Sequence, residues 1–134
     1  MKIEDLLTSK NKVTCLYSNM NLKECYERIK SSHFMMIPVL EKGSERYLYS
    51  LSSYDLLKKI MDENSIEKSL NSPISSIEIE RLIISSRIDS SLEEIATLVA
   101  NQNYLPIVSP TGEFLGIITR KTLIFYLLNL LEEK

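Results

Sequence analysis

Two stretches of this chain carry the same signals in the same order, and that duplication restricts the fold more than any other feature. In the first, Leu22, Cys25, Tyr26 and Ile29 stand at i, i+3, i+4 and i+7, the stripe of an amphipathic helix. Asn21 precedes the stripe and Glu24 follows three places on, a capping-box arrangement. In the second, Leu92, Ile95, Ala96 and Val99 repeat the stripe behind Ser91 and Glu94. Each helix runs into an aromatic and then a proline strand, Phe34 to Pro38-Val39-Leu40 and Tyr104 to Pro106-Ile107-Val108. A turn with glycine follows (Gly43, Gly112), then a second β-type run, Tyr47 to Leu51 or Phe114 to Ile118. Each run closes on a hydroxyl residue, Ser52 or Thr119, placed to cap the helix behind it. Those helices carry Leu57, Ile60 and Met61 in one copy and Ile124, Leu127 and Leu128 at matching positions in the other. The pattern predicts an α/β tandem repeat of roughly sixty residues, ordered strand–helix–strand–strand–helix.

The expected boundaries are a first repeat over 1–62, a linker over 63–76 and a second repeat over 77–134. Met1 to Ser9 reads as a lead-in helix with Ile3, Leu6 and Leu7 on one face. Val13 to Leu16 and Arg81 to Ile84 read as the opening strands of the two repeats. The linker is polar, holds Pro73, and reads as broken helical turns.

Composition removes several classes of function. A net charge of −2 implies no general polyanion surface, so nucleic acid is not an expected partner. No apolar run reaches the ~20 residues needed to cross a bilayer, and no signal peptide precedes the first element, so a cytoplasmic protein is expected. Cys15 and Cys25 have neither metal-ligand spacing nor a Cys-x-x-Cys pattern, and read as buried thiols, with a disulfide between them as the alternative. Three glycines are too few for a Gly-rich phosphate loop. No nucleophile–base pair, metal set or carboxylate pair is legible, so neither an enzyme nor a metal site is expected. His33, the single histidine, reads as a surface residue at a helix end, and Tyr17, Tyr26, Tyr47, Tyr54 and Tyr126 as core or interface.

One local rule is broken. Arg120 and Lys121 open the last helix, where basic side chains oppose the macrodipole at about 0.3–1 kcal/mol each. An anion held there by the two cations and free backbone N–H groups would remove the conflict. The other reading is that both side chains bend into water. The helix behind them is apolar almost all round, from Leu123-Ile124-Phe125-Tyr126-Leu127-Leu128 to Leu130 and Leu131. A surface helix needs one apolar stripe, so a second chain or a client is expected to cover the rest.

Ile37-Pro38-Val39 with Ser52-Ser53-Tyr54-Asp55, and Leu105-Pro106-Ile107-Val108 with Gly116-Ile117-Ile118-Thr119, resemble the CBS domain. Two in tandem resemble a Bateman module, and the resemblance covers nearly the whole chain. It implies two units about a pseudo-twofold axis, with clefts for AMP, ADP, ATP, S-adenosylmethionine or cyclic di-AMP. The closing Gly-Ile-Ile-Thr-Arg-Lys and final apolar helix are similar to the small stand-alone cyclic-di-AMP-binding CBS proteins of Gram-positive bacteria, the CbpB group. That resemblance implies a ligand lined by Lys12, Thr14 and Leu16 and by Phe34, Met35 and Met36, with Arg120 and Lys121 on phosphate beside Thr119. Asp55 holds the place that bonds ribose in such proteins, but Thr122 fills it in the second copy. Tyr49 stands where the first copy should have its glycine, which favours one ligand per chain. The implied protein is a sensor with no cofactor beyond its ligand, paired as a homodimer and acting on a metabolic or stringent-response enzyme. An AMP/ATP energy sensor and a ligand-free interaction scaffold are the alternatives.

Overall fold

The computed structural model of the chain describes residues 3–32, 35–62 and 65–133. A 3-10 turn (Ile3–Leu6) leads into β1 (Thr8–Ser9), a second 3-10 turn (Lys10–Lys12), β2 (Leu16–Tyr17), α1 (Leu22–Ile29), β3 (Met36–Leu40), β4 (Tyr47–Ser52) and α2 (Ser53–Asp62). Next come α3 (Ile66–Leu70), a 3-10 turn (Ile74–Ser76), β5 (Ser86–Arg87), α4 (Leu92–Asn101), β6 (Tyr104–Val108), β7 (Phe114–Thr119) and α5 (Arg120–Glu132). These form two compact α/β units, one drawing on Thr14–Leu82 and the other on Met1–Val13 with Ile83–Lys134.

In the Thr14–Leu82 unit the sheet order is β2-β3-β4. The capping box before α1 is complete: Glu24 N–H donates to Asn21 Oδ1 at 2.9 Å and Asn21 N–H to Glu24 Oε1 at 3.2 Å. The α1 stripe then buries Leu22 and Cys25 against Leu16, Ile37, Val39 and Leu51. Pro38 is tolerated inside β3 because β2 pairs only with Val39 and Leu40, so no ladder bond to that neighbour is lost. The stretch expected to be a linker belongs to this core. Ile74 is buried in it, as is Ile77 just beyond, and Leu22 N–H donates to Ser72 O while Ile74 N–H donates to Met20 O, each at 2.9 Å.

The other unit repeats the hairpin, with β6 and β7 antiparallel. Both hairpins carry a register shift at the same step, Val39/Leu40 and Ile107/Val108, so the duplication extends to an irregularity of the backbone. Here the sheet has four strands, in the order β1-β7-β6-β5. β1 runs antiparallel along β7, Thr8 opposite Ile117 and Ser9 opposite Gly116, and Leu6 is buried with Ile95, Val99, Leu105, Ile107, Ile118 and Leu123.

This corrects the expected boundaries. The lead-in segment is a 3-10 turn and a short strand rather than a helix, and it completes the unit of the second repeat, not the first. Gly116 is the reason. Its φ of +155° suits glycine, and a methyl group there would overlap the Thr8 carbonyl oxygen and crowd the Leu7 side chain. Glycine lets a backbone lie against β7. At the matching place in β4 stands Tyr49, half-buried against the other core, and among the described residues β4 carries no outer strand. The two opening strands also start later than expected, at Leu16 and Ser86.

Candidate functional site

Beyond β7, the chain enters α5 through Thr119. Its hydroxyl accepts from Thr122 N–H at 3.3 Å and donates to Thr122 Oγ1 at 3.0 Å, so Thr119 acts as the N-cap. Ser52 and Asp55 do the same for α2 in reciprocal form: Asp55 N–H donates to Ser52 Oγ at 3.0 Å and Ser52 N–H to Asp55 Oδ2 at 3.1 Å. Asp55 is buried, with one carboxylate oxygen engaged in the cap. The Thr122 replacement therefore removes a carboxylate from the second repeat without removing the cap.

The two cations at the start of α5 take different directions, and Arg120 is tied to the neighbouring helix α4. Its Nε–H donates to the carbonyl of Val99 at 3.0 Å. Val99 lies in the last turn of α4, where carbonyls have no intrahelical partner and a cation meets the negative end of the macrodipole. The misplaced charge of one helix start is the fitting charge for another helix end. This bond uses one of the five N–H donors of Arg120, and among the described residues the four on its terminal nitrogens have no partner. Lys121 is exposed, with Nζ 6.0 Å from the centre of the Phe125 ring.

The remaining expected residues belong to several elements of the two units. Lys12 closes the 3-10 turn that follows β1, and Arg120 opens α5. In the Thr14–Leu82 unit, Leu16 is fully buried in the core, Met36 is buried at the start of β3, and Met35 is 75% exposed. Phe34 and His33 lie outside the described residues. Cys15 and Cys25 are both buried and not joined in a disulfide, and burial pushes the Cys25 thiol up to about 11, which keeps it neutral and unreactive.

Two hollows in the Thr14–Leu82 unit differ in chemistry. Asp55, Lys58, Lys59, Asp62, Ser76 and Glu78 line one of about 200 Å³. That is below the ~300–1,000 Å³ usual for small-molecule sites, and its acids outnumber its cations, which disfavours a phosphate. The second, of about 510 Å³, is an apolar groove of α1 and α2 lined by Tyr26, Ile29, Tyr54, Leu56, Leu57 and Ile60 with Ser53. Among the described residues no group of three His, Cys, Asp or Glu could hold a metal ion.

Gln102 carries weight that the sequence reading passed over. Buried just past α4, it receives Ile84 N–H on Oε1 at 2.8 Å and donates through Nε2 to the carbonyls of Ile84 at 3.0 Å and Tyr104 at 3.2 Å. One side chain thus supplies the bonds that a strand over Arg81–Ile84 would have supplied. The available signal was its place in the repeat: aligning Pro106 with Pro38 sets Gln102 opposite Phe34, a polar residue where the other copy has an aromatic.

Residues 81–129, within the second repeat, match the CBS domain family. The whole chain has the tandem CBS fold seen in CbpB. A crystal structure of CbpB in complex with c-di-AMP matches with a TM-score of 0.86 at 20% identity, covering 99% of this chain and 88% of that one. CbpB from Listeria monocytogenes matches with a TM-score of 0.80 at 18% identity, covering 94% and 98%. CBSX2 in complex with AMP matches with a TM-score of 0.73 at 20% identity, covering 96% and 97%. At these identities the likeness is one of fold. No curated protein matches the chain.

Proposed function

We propose that this chain is a cytosolic nucleotide-sensing module, a regulator rather than an enzyme, that binds cyclic di-AMP and signals to a partner protein. The observation that carries the reading is Arg120. Its guanidinium is anchored through Nε at the start of α5 and has four donors left for an anion, beside Lys121 and the free N–H groups of the helix start. A cyclic dinucleotide presents two phosphodiesters, and Arg is suited to grip one of them with two parallel bonds. The tandem fold shared with CbpB, crystallised with c-di-AMP, gives the same direction. Lys12, of the same unit, is proposed as a further contact.

The rival ligand is AMP or ATP, supported by the likeness to AMP-bound CBSX2 and by Asp55, a carboxylate suited to ribose hydroxyls. It has less support, because Thr122 leaves the second repeat without that carboxylate. A thermal-shift panel of cyclic di-AMP, AMP, ATP, S-adenosylmethionine and cyclic di-GMP separates the readings. Cyclic di-AMP at about a hundred times its dissociation constant is expected to add ~2.7 kcal/mol of stability. A shift with AMP or ATP alone would replace the ligand, and no shift at all would favour the scaffold.

The output surface proposed is α5. Only Leu123 of that helix is buried, while Ile124, Phe125, Leu127, Leu128, Leu130 and Leu131 are exposed, Leu131 by 66%. Leu57 and Met61 are exposed at the matching places of α2. Pairing with a second copy would cover such a helix and leave ligand to bias which surface a client meets. Sedimentation of the wild type is expected to give a dimer, and Phe125→Glu with Leu128→Glu a folded monomer; a monomeric wild type would leave α5 to the client. No helix of the described residues is long and apolar enough to cross a membrane.

A further inference from the structure

We infer that the last turn of α4 is a relay, joining the anion-binding face of Arg120 to the segment that enters β5. The inference rests on the reading of Arg120 given above and adds how occupancy is transmitted. Two side-chain connections meet within four residues. Arg120 Nε–H ties the carbonyl of Val99 to the start of α5, and Gln102 ties the end of α4 to both backbone groups of Ile84 and to the carbonyl of Tyr104. All of these residues belong to one compact unit. Val99 and Gln102 are both buried, which fixes the relay between the two hydrogen-bonded ends.

The chemistry gives the relay a direction. An Arg side chain free in water loses rotamer freedom when it grips a phosphate, and a guanidinium already held by Nε loses less. The Val99 carbonyl is therefore a positioning group: it sets the plane of the guanidinium and leaves the terminal nitrogens for the ligand. Once an anion fixes those nitrogens, Arg120 can no longer swing away from Val99, and the end of α4 is held more firmly. Gln102 passes that restraint to Ile84, whose N–H it receives at 2.8 Å. Lysine at 120 would keep the charge and lose both the anchor and the fork.

The Ile84 amide reports the relay directly, because its exchange requires the Gln102 bond to open. Hydrogen exchange by NMR, on the full chain with and without saturating cyclic di-AMP, is expected to slow at Ile84 by about threefold or more in the wild type. In Arg120→Lys the ligand is expected to bind more weakly and, at saturation, to leave Ile84 exchange unchanged. In Gln102→Ala it is expected to bind within about threefold of wild type while Ile84 exchanges fast with or without ligand. Binding by the wild type with no change at Ile84, or full slowing in Arg120→Lys, overturns the relay and leaves the ligand reading standing. No binding heat with cyclic di-AMP in the wild type rejects both.

Discussion

Gly116→Ala is expected to lower the melting temperature by roughly 10 °C, corresponding to about 3 kcal/mol in a domain of this size. The cause is contact rather than backbone freedom alone. A methyl at 116 occupies the place of the Thr8 carbonyl oxygen, which belongs to backbone and has no rotamer to escape into. β1 must then leave β7, and Leu6 leaves the core with it, at about 1.5–3 kcal/mol for one buried leucine. Gly43→Ala is the control. Its φ of +103° also favours glycine, yet a methyl there meets nothing within 4 Å, so about 1 kcal/mol of backbone strain is the whole expected cost. Denaturant melts of the two variants, with limited proteolysis at residues 3–13, check the pair. Equal losses in both would mean that β1 does not depend on the close approach.

Arg120→Ala with Lys121→Ala is expected to abolish the thermal shift given by cyclic di-AMP and to leave the unliganded melt within a few degrees of wild type. Two effects oppose each other in the free protein. Removing cations from the first turn of α5 relieves about 0.3–1 kcal/mol each. Losing the Arg120 bond to Val99 returns an orphan carbonyl at about 0.5–1.5 kcal/mol. Their near cancellation makes the variant a clean test of binding. A collapse of the unliganded melt would assign the pair to structure, and a retained ligand shift would move the phosphate site elsewhere.

Local chemistry made much of this fold readable. The Asn21–Glu24 box, the apolar stripes and the proline strands each specify an element through contacts a few residues apart, and all formed where their spacing put them. The CBS resemblance carried by Gly116-Ile117-Ile118-Thr119 was legible for the same reason, since the residues that match that family, 81–129, are contiguous. The assignment of segments to units was not legible. Nothing within Met1–Ser9 states that it pairs with a strand over a hundred positions away; that information sits at Gly116, and its counterpart Tyr49 reads as a departure until both sheets are compared. The candidate site was legible in residue type and not in geometry. Two cations at a helix start are visible in sequence, but the α4 carbonyl that receives Arg120 lies across a turn and two strands. Lys12 is grouped with them by resemblance alone.

The most direct measurement is an isothermal titration of the wild-type chain with cyclic di-AMP and, separately, with AMP. Cyclic di-AMP is expected to bind at one site per chain with a dissociation constant of about a micromolar or tighter, and AMP at least about tenfold more weakly, a gap of ~1.4 kcal/mol. AMP binding as tightly as cyclic di-AMP, or no heat from either, would contradict the proposal that this chain is a cyclic-dinucleotide sensor.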